Sequence, residues 1–161
     1  MSLEKARAHL AQFGVDNRIR ELAQSSATVE LAAQALGCEG ARIAKTLSLW
    51  LKDNPILIVT AGDAKIDNPK YKHFFGAKAK MIAGEAVESA VGHAPGGVCP
   101  FGVNEGVTVY LDVSLKRFET VFPACGSGNS AIECSVGELE KFSGSIEWID
   151  VCKSWQSPTD D

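Results

Sequence analysis

The chain has 161 residues, 45% of them hydrophobic, and a formal net charge of −4 at pH 7. This length suits one domain with a single core, and the mild negative charge argues against a protein that binds long nucleic acids through a broad basic face. Charges spread through the first turns are unlike a secretory signal, and no apolar stretch is long enough to cross a bilayer. We therefore expect a cytoplasmic protein without membrane contact.

The cysteines and histidines show no metal-ligand pattern. The five cysteines are odd in number and include no C-x-x-C pair, so we expect reduced thiols and neither a disulfide framework nor a zinc site. His9, His73 and His93 have no ligand spacing with one another or with carboxylates. We predict no metal and no cofactor.

Two amphipathic helices are predicted near the start of the chain. The second has Thr28 as its N-cap and Gly37 just past its end. Residues 17–22, between the helices, are predicted to be extended. The first helix is capped by Ser2, stops at Gly14 and has apolar residues at spacings of three and four, namely Leu3, Ala6, Leu10 and Phe13.

A β-hairpin is predicted at the centre of a sheet. The sequence RIAKTLSLWL, from Arg42 to Leu51, alternates in hydrophobicity as a half-buried strand does. Asp53-Asn54-Pro55 interrupts this pattern before a second apolar run from Ile56 to Thr60.

The rest of the chain contains short helices and short strands. Strands are predicted at 107–111, 120–122 and 146–151. The absence of a repeat or linker favours one α+β domain over residues 1–155, followed by a polar tail at 156–161. Helices are predicted from Asn68-Pro69 to Gly76, over 84–91, and from a capping box of Ser135 and Glu138 through Phe142.

Lys45 is the most informative residue that the pattern isolates. Strand alternation places it on the same face as Ile43, Leu47, Leu49 and Leu51. A lysine on an apolar face either extends to solvent at a sheet edge or lies in a desolvated cleft. In a cleft its pKa falls and its ammonium group can bind an anion or polarise a carbonyl. The pattern alone leaves both alternatives open.

Two glycine-rich segments could build a pocket from main chain. Residues 96–102, GGVCPFG, have the freedom to bring N–H groups close to a ligand, with Pro100 stiffening the loop, and a plain surface turn is the alternative. Residues 125–130, CGSGNS, offer hydroxyl and amide groups but lack the spacing of a phosphate-binding loop. Cys99 with His93 or His73 is a rival nucleophile and base, although free cysteines usually behave as small buried apolar residues.

The segment from Lys65 to Lys80 is locally basic. It is opposed only by Asp63 and Asp67. We interpret it either as an ordinary solvated face or as a surface that contacts RNA phosphates or an acidic protein partner. Its basic residues are Lys65, Lys70, Lys72, Lys78 and Lys80, with His73.

Three stretches resemble the YbaK/ProX family of aminoacyl-tRNA deacylases, which is related to the editing domain of bacterial prolyl-tRNA synthetases. They are TVELAAQALGCEGARIAKTL at 28–47, DAKIDNPKYKHFFGAKAKMIAGEAV at 63–87, and GGVCPFG at 96–102. The resemblance runs from about Ser2 to Trp155. It implies a mixed, strongly curved, barrel-like sheet surrounded by helices, and a pocket for the 3′-terminal adenosine that carries the wrongly attached amino acid.

The resemblance also implies site residues. Lys45, in the I-A-K-[TS]-L strand, and Gly97 are the implied catalytic residues. The backbone N–H groups of Gly97 and its neighbours would meet the oxygen of the scissile ester. The nucleophile would be a water or, as in members that handle cysteine, the thiol of the substrate. No side chain is required as general base. The expected substrate-binding residues are Thr46, Gly96, Pro100, Gly126, Asn129 and Ser130.

Two functions remain open from the sequence. One is a trans-editing hydrolase that deacylates a misacylated tRNA, with a small amino acid on tRNA-Pro or a similar tRNA. Its expected partners are the 3′ end of the aminoacyl-tRNA and, as a further candidate, an aminoacyl-tRNA synthetase. The other is a non-catalytic module of the same fold that binds an aminoacyl end or a small metabolite. Lys45 and the glycine-proline loop favour the hydrolase.

Overall fold

The computed structural model describes residues 2–155. Its α-helices are α1 (Ser2–Ala11), α2 (Val29–Leu36), α3 (Asn68–Phe75), α4 (Gly84–Val91) and α5 (Val136–Ser143). Its strands are β1 (Arg20–Glu21), β2 (Ile43–Leu51), β3 (Asn54–Ala61), β4 (Lys65–Ile66), β5 (Thr108–Asp112), β6 (Thr120–Pro123), β7 (Ser130–Ala131), β8 (Cys134–Ser135), β9 (Glu147–Ile149) and β10 (Cys152–Lys153). Short 3₁₀ turns lie at Asp16–Arg18, Gly40–Arg42 and Val113–Arg117.

The main sheet is a mixed half-barrel of six strands in the order β8-β6-β2-β3-β5-β9. The predicted hairpin, β2 with β3, is antiparallel and central, and β6 and β5 flank it in parallel. Two ribbons lie outside this sheet, β1 with β7 and β4 with β10. The arrangement confirms the predicted α+β class with a curved mixed sheet.

The core lies on both faces of β3. Ile56, Leu57, Ile58 and Val59 follow one another and are all buried. Consecutive buried residues in a strand require cover on both faces, and here the helices and the curved sheet supply it. Leu10 on α1 is buried in the same core, as the apolar spacing predicted.

Local capping signals determine several helix ends. The Thr28 hydroxyl accepts a hydrogen bond from the N–H of Leu31 at 3.2 Å. Gly92, just past α4, has φ +101°, a conformation that favours glycine. The capping box of Ser135 and Glu138 is formed, with Glu138 N–H donating to the Ser135 hydroxyl at 3.0 Å. These predicted boundaries are confirmed.

Three local predictions were wrong. The break predicted at Asp53-Asn54-Pro55 is a turn at Lys52-Asp53, because Asn54 and Pro55 already pair with β2 as part of β3. Residues 146–151 do not form one strand, because the N–H of Val151 donates to the buried carboxylate of Asp112 at 3.0 Å instead of continuing a ladder. Residues 17–22 are not extended throughout, because a 3₁₀ turn ending at Arg18 precedes β1. The predicted polar tail, 156–161, lies outside the described residues. None of the described helices is long and apolar enough to span a membrane.

Candidate functional site

A cleft of about 300 Å³ lies between β2, the start of α2 and the two glycine-rich loops. This volume is at the lower end of the range for small-molecule sites. It is lined by residues 26–29, Ala32, Leu36, residues 43–46, Gly96, Val98, Phe122, Ala124, Ser130 and Ala131.

The outer edge of β2 has a gap at the cleft. At one end of this edge Ile43 and Ala44 pair with β6. At the other end the Ser48 carbonyl accepts from Ile82, and the Trp50 N–H donates to Lys80. Within the described residues no strand pairs with residues 45–47 on this edge. The cleft lies at a free edge of β2, and side chains from both faces of the strand, such as Lys45 and Thr46, therefore line it.

Thr46 presents its hydroxyl and its backbone N–H and C=O at this gap. Hydrogen-bonding direction alternates along a strand, so the N–H and C=O of Thr46 point to the same edge as those of Ser48 and Trp50. The Thr46 hydroxyl oxygen is buried and has no hydrogen-bond partner in the part of the chain that the structure describes. A buried hydroxyl without a partner costs about 1–3 kcal/mol, so this site is suited to a polar ligand group.

Lys45 carries the one ionisable side chain among the described residues that line the cleft. Its ammonium nitrogen donates to the carbonyl oxygen of Gly62 at 3.4 Å. Burial lowers the pKa of Lys45, and the charge of Lys65 lowers it further, while Cys152, Asp63 and Glu30 oppose the shift. The sequence left open whether Lys45 extends to solvent or lies in a cleft, and the structure places it in the cleft.

Gly62 is fixed in its place by another glycine. A Cβ at residue 62 would lie 2.0 Å from the carbonyl oxygen of Gly40 and 2.9 Å from Cγ1 of Val29. The N–H of Gly62 donates to Ala41 at 3.3 Å. Close backbone packing therefore sets the position of the oxygen that binds Lys45.

The two glycine-rich loops touch each other through their backbones. A Cβ on Gly97 would lie 2.6 Å from both the carbonyl carbon of Gly126 and the nitrogen of Ser127. The N–H of Gly97 donates to Ala94 at 3.1 Å and so closes a turn inside its own loop. The N–H of the next residue, Val98, has no acceptor among residues 2–155, and Val98 lines the cleft.

The loop from Gly126 to Ser130 is anchored to the segment before α2. The N–H of Leu22 donates to Asn129 and that of Ser26 to Gly128, both at 2.6 Å. The side-chain amide of Asn129 donates back to the Leu22 carbonyl at 3.2 Å. These bonds hold Ser26 at the cleft, where its buried hydroxyl has no partner among the described residues.

The predicted site residues fall into two groups of four. Lys45, Thr46, Gly96 and Ser130 line the cleft. Gly97 and Gly126 form the contact between the loops, Pro100 is buried, and the side chain of Asn129 binds Leu22 and Ser127. These last four residues are not among those that line the cleft. The substrate roles of all eight residues remain predictions.

The rival cysteine site is not accessible. The Sγ of Cys99 lies 3.6 Å from Nε2 of His93, so the pair exists, but both side chains are fully buried. Burial raises the pKa of the Cys99 thiol to about 12, which keeps it protonated. Within residues 2–155 no group of three or more His, Cys, Asp or Glu side chains is arranged to hold a metal ion.

Sequence reasoning missed several lining residues. Phe122 forms part of the cleft wall, and the guanidinium groups of Arg20 and Arg42 lie 5.8 and 5.1 Å from its ring centre. Ser26 could have been suspected from the run Ser25-Ser26 just before the N-cap of α2. Phe122 had no such signal, because it is an ordinary strand residue in the sequence.

The family model for the aminoacyl-tRNA editing domain matches residues 23–142. The chain belongs to this family. Every residue that lines the cleft falls inside the matched range. Family membership, which the resemblance of three sequence stretches predicted, is thereby confirmed.

Three known proteins illustrate what the chain is similar to. The uncharacterized protein YwhH of Bacillus subtilis (strain 168) is 55% identical over 157 residues, 97% of this chain and 100% of that protein. A proline–tRNA ligase of Shouchella clausii (strain KSM-K16) is 34% identical over 104 residues, which are 64% of this chain and 18% of the ligase. The crystal structure of a candidate trans-editing enzyme for prolyl tRNA synthetase superposes with a TM-score of 0.84 at 27% identity, covering 94% of this chain and 97% of that one.

Proposed function

We propose that this editing-family protein hydrolyses the ester that joins a wrongly attached small amino acid to the 3′-terminal ribose of a tRNA. The single observation that carries the proposal is a small cleft, inside the family's domain, whose one ionisable lining side chain is the half-buried Lys45. The similarity to a proline–tRNA ligase and to a candidate trans-editing enzyme supports tRNA-Pro, or a similar tRNA, as substrate and action in trans.

The chemistry requires little from the protein. A nucleophile adds to the ester carbonyl carbon and gives up its proton, and the carbonyl oxygen becomes an oxyanion. The carbonyl then re-forms as the bond to the ribose oxygen breaks, and the ribose oxygen takes up a proton. Aminoacyl esters are already activated, so positioning and oxyanion stabilisation suffice. The Lys45 ammonium supplies a positive charge held by a neutral carbonyl. The N–H of Val98, which has no acceptor among residues 2–155, is the loop donor that can meet the oxyanion.

Thr46 is suited to bind the amino end of the substrate. The α-ammonium group of an aminoacyl ester is a strong donor. The C=O of Thr46 faces the gap in β2, and the Thr46 hydroxyl has no partner among the described residues. Hydrogen bonds to a charged group contribute about 1.5–3 kcal/mol each. The small cleft volume supports a substrate whose amino acid has a small side chain.

The attacking group is a water or the thiol of a cysteinyl substrate. Among the described residues that line the cleft there is no histidine, aspartate or glutamate to act as a general base. A water would therefore be oriented by polar groups such as the Ser26 and Ser130 hydroxyls. A substrate thiol would displace the ribose oxygen to form a thiolactone, which water then opens to the free amino acid.

The deciding experiment is single-turnover deacylation of tRNA-Pro charged with alanine, cysteine or serine. We expect hydrolysis of one of these substrates by the wild type, and a loss on the order of 10²–10³ in rate for Lys45→Ala. Lys141→Ala, on the exposed surface of α5, is the matched control and should keep full activity. Far-ultraviolet circular dichroism verifies folding of both variants.

The alternative function, a non-catalytic binding module, makes a different prediction. In that case none of the three substrates is hydrolysed, while an amide-linked, non-hydrolysable aminoacyl-adenosine still binds the wild type and binds Lys45→Ala more weakly. Hydrolysis that persists in Lys45→Ala would refute the proposed role of this residue.

A further inference from the structure

Two lysines face each other across the β4–β10 ribbon. Lys65 is directly opposite Lys153 in the antiparallel register, and both are exposed. Like charges at directly opposed positions destabilise a β-ladder, by an amount comparable to the roughly 0.2–1 kcal/mol that a favourable pair contributes. The ribbon is held by other contacts, such as the buried Cys152, whose carbonyl accepts from Lys70, so the two lysines can concentrate positive charge at this point of the surface.

The acidic residues around this pair already have partners. Asp63 binds the guanidinium group of Arg117 through both oxygens, at 2.6 and 3.0 Å. Asp150 pairs with Lys70 at 3.1 Å. Within residues 2–155 neither Lys65 nor Lys153 makes an ion pair or a side-chain hydrogen bond, so their charges are free to bind an external anion.

The pair lies next to the cleft. Lys65 follows Gly62, whose carbonyl binds Lys45, by three residues, so their Cα atoms are at most about 11 Å apart. The charge of Lys65 also acts on the ammonium group of Lys45. The positive charge at Lys45 therefore continues outward onto the β4–β10 ribbon.

Beyond the ribbon the positive surface extends along α3. A surface groove of about 590 Å³ begins at Asn68, three residues after Lys65, and is lined by Lys72 and Lys78. Both lysines are exposed and have no ion-pair partner among the described residues. Lys70 differs, because Asp150 and the Cys152 carbonyl bind it and it ties α3 to β10.

We propose that Lys65 and Lys153, continued by Lys72 and Lys78, bind the backbone phosphates of the RNA strand whose 3′ end enters the cleft. This inference rests on the proposed function and adds the surface that holds the tRNA. An RNA is favoured over an acidic protein because the row of lysines starts beside Lys45. A tRNA with its terminal ribose at Lys45 would bring its last phosphates near Lys65, whose Cα lies within about 11 Å of that of Gly62.

The test measures binding of an acceptor-stem RNA hairpin that has a 3′ CCA end and carries no amino acid, so no turnover occurs. The slope of log K against log salt is negative, and each lost phosphate contact reduces its magnitude by about 0.7–0.9. If the wild type and the variant bind equally at 1 M salt, the variant therefore binds about five- to eightfold more weakly than the wild type at 0.1 M salt for each lost contact. We expect both changes, for two contacts, in the double variant Lys65→Gln/Lys153→Gln and again in Lys72→Gln/Lys78→Gln.

Lys141→Gln is the control, because it removes one exposed lysine from α5, outside this row. It should leave the affinity and the salt slope unchanged. A urea titration distinguishes binding from a structural role: Lys65→Gln/Lys153→Gln should be at least as stable as the wild type, since the substitution removes a repulsion.

Three outcomes would overturn the inference. The first is an unchanged affinity and salt slope in both double variants. The second is an equal loss in Lys141→Gln, which would indicate net charge alone. The third is unchanged RNA binding with weaker binding to prolyl-tRNA synthetase, which would assign the surface to an acidic protein. The RNA carries no amino acid, so the test remains decisive if the chain proves not to deacylate any tRNA.

Discussion

The ammonium nitrogen of Lys45 donates a hydrogen bond to the carbonyl oxygen of Gly62 at 3.4 Å. A neutral oxygen positions the lysine without neutralising it, whereas a carboxylate partner would compete with the substrate for its charge. The position of this oxygen depends in turn on the contact between Gly62 and Gly40.

Gly62→Ala should therefore reduce activity although Lys45 itself is unchanged. Its Cβ would lie 2.0 Å from the Gly40 carbonyl oxygen, so the end of β3 must shift and carry the Lys45 acceptor with it. We expect a loss of about 1–3 kcal/mol in the free energy of unfolding and a lower single-turnover rate. Gly84→Ala is the control, since nothing lies within 4 Å of its Cβ. A fully active and fully stable Gly62→Ala would contradict this account.

Gly97→Ala should separate the two loops. The added Cβ meets backbone atoms of Gly126 and Ser127 at 2.6 Å, and backbone cannot move aside as a flexible side chain can. We expect a slower chemical step, measured by single-turnover deacylation, together with a lower urea midpoint. The control is Gly128→Ala in the facing loop, where the nearest atom is at 3.7 Å. Equal effects of the two substitutions would show that the contact is unimportant.

Thr46→Val should uncouple stability from function. The substitution removes a buried hydroxyl that has no partner within the described residues, so the free energy of unfolding should stay constant or rise. If that hydroxyl binds the substrate ammonium group, the apparent affinity should fall by about tenfold to a hundredfold. Thr46→Ser keeps the oxygen and should preserve affinity. A destabilised Thr46→Val would reveal that the hydroxyl has a partner in the folded protein.

His93 should make stability depend on pH. Its Nε2 lies 2.6 Å from the Phe101 carbonyl and so carries the proton, while its buried Nδ1 has no partner among the described residues. Burial lowers the pKa of His93, and Lys5 and His9 lower it further, whereas the Phe101 carbonyl opposes the shift. The unfolded chain, with a pKa near 6.5, therefore binds this proton more readily than the folded protein does.

It follows that the free energy of unfolding falls as pH drops below about 6.5, by at most about 1.4 kcal/mol per pH unit, and levels off below the folded pKa. Urea unfolding of the wild type and of His93→Asn at a series of pH values measures this term as the difference between the two curves. Curves that stay parallel over the acidic range would show that His93 does not contribute.

The sequence by itself determined the local elements and the family. The bounds of α4 follow from Gly84 and Gly92, and the hairpin of β2 and β3 follows from alternation and a break in it at Asp53. These signals involve residues a few positions apart, so they operate before any tertiary contact forms. Lys45 was also identified in this way, as a charged residue on an apolar strand face.

Only the tertiary structure decided how the cleft is built. The gap at Thr46 exists because β6 and residues 80–82, far apart in sequence, stop on either side of it. The contact of Gly97 with Gly126 and the opposition of Lys65 and Lys153 likewise join distant segments. The register between such segments depends on how whole elements pack, which local periodicity does not specify.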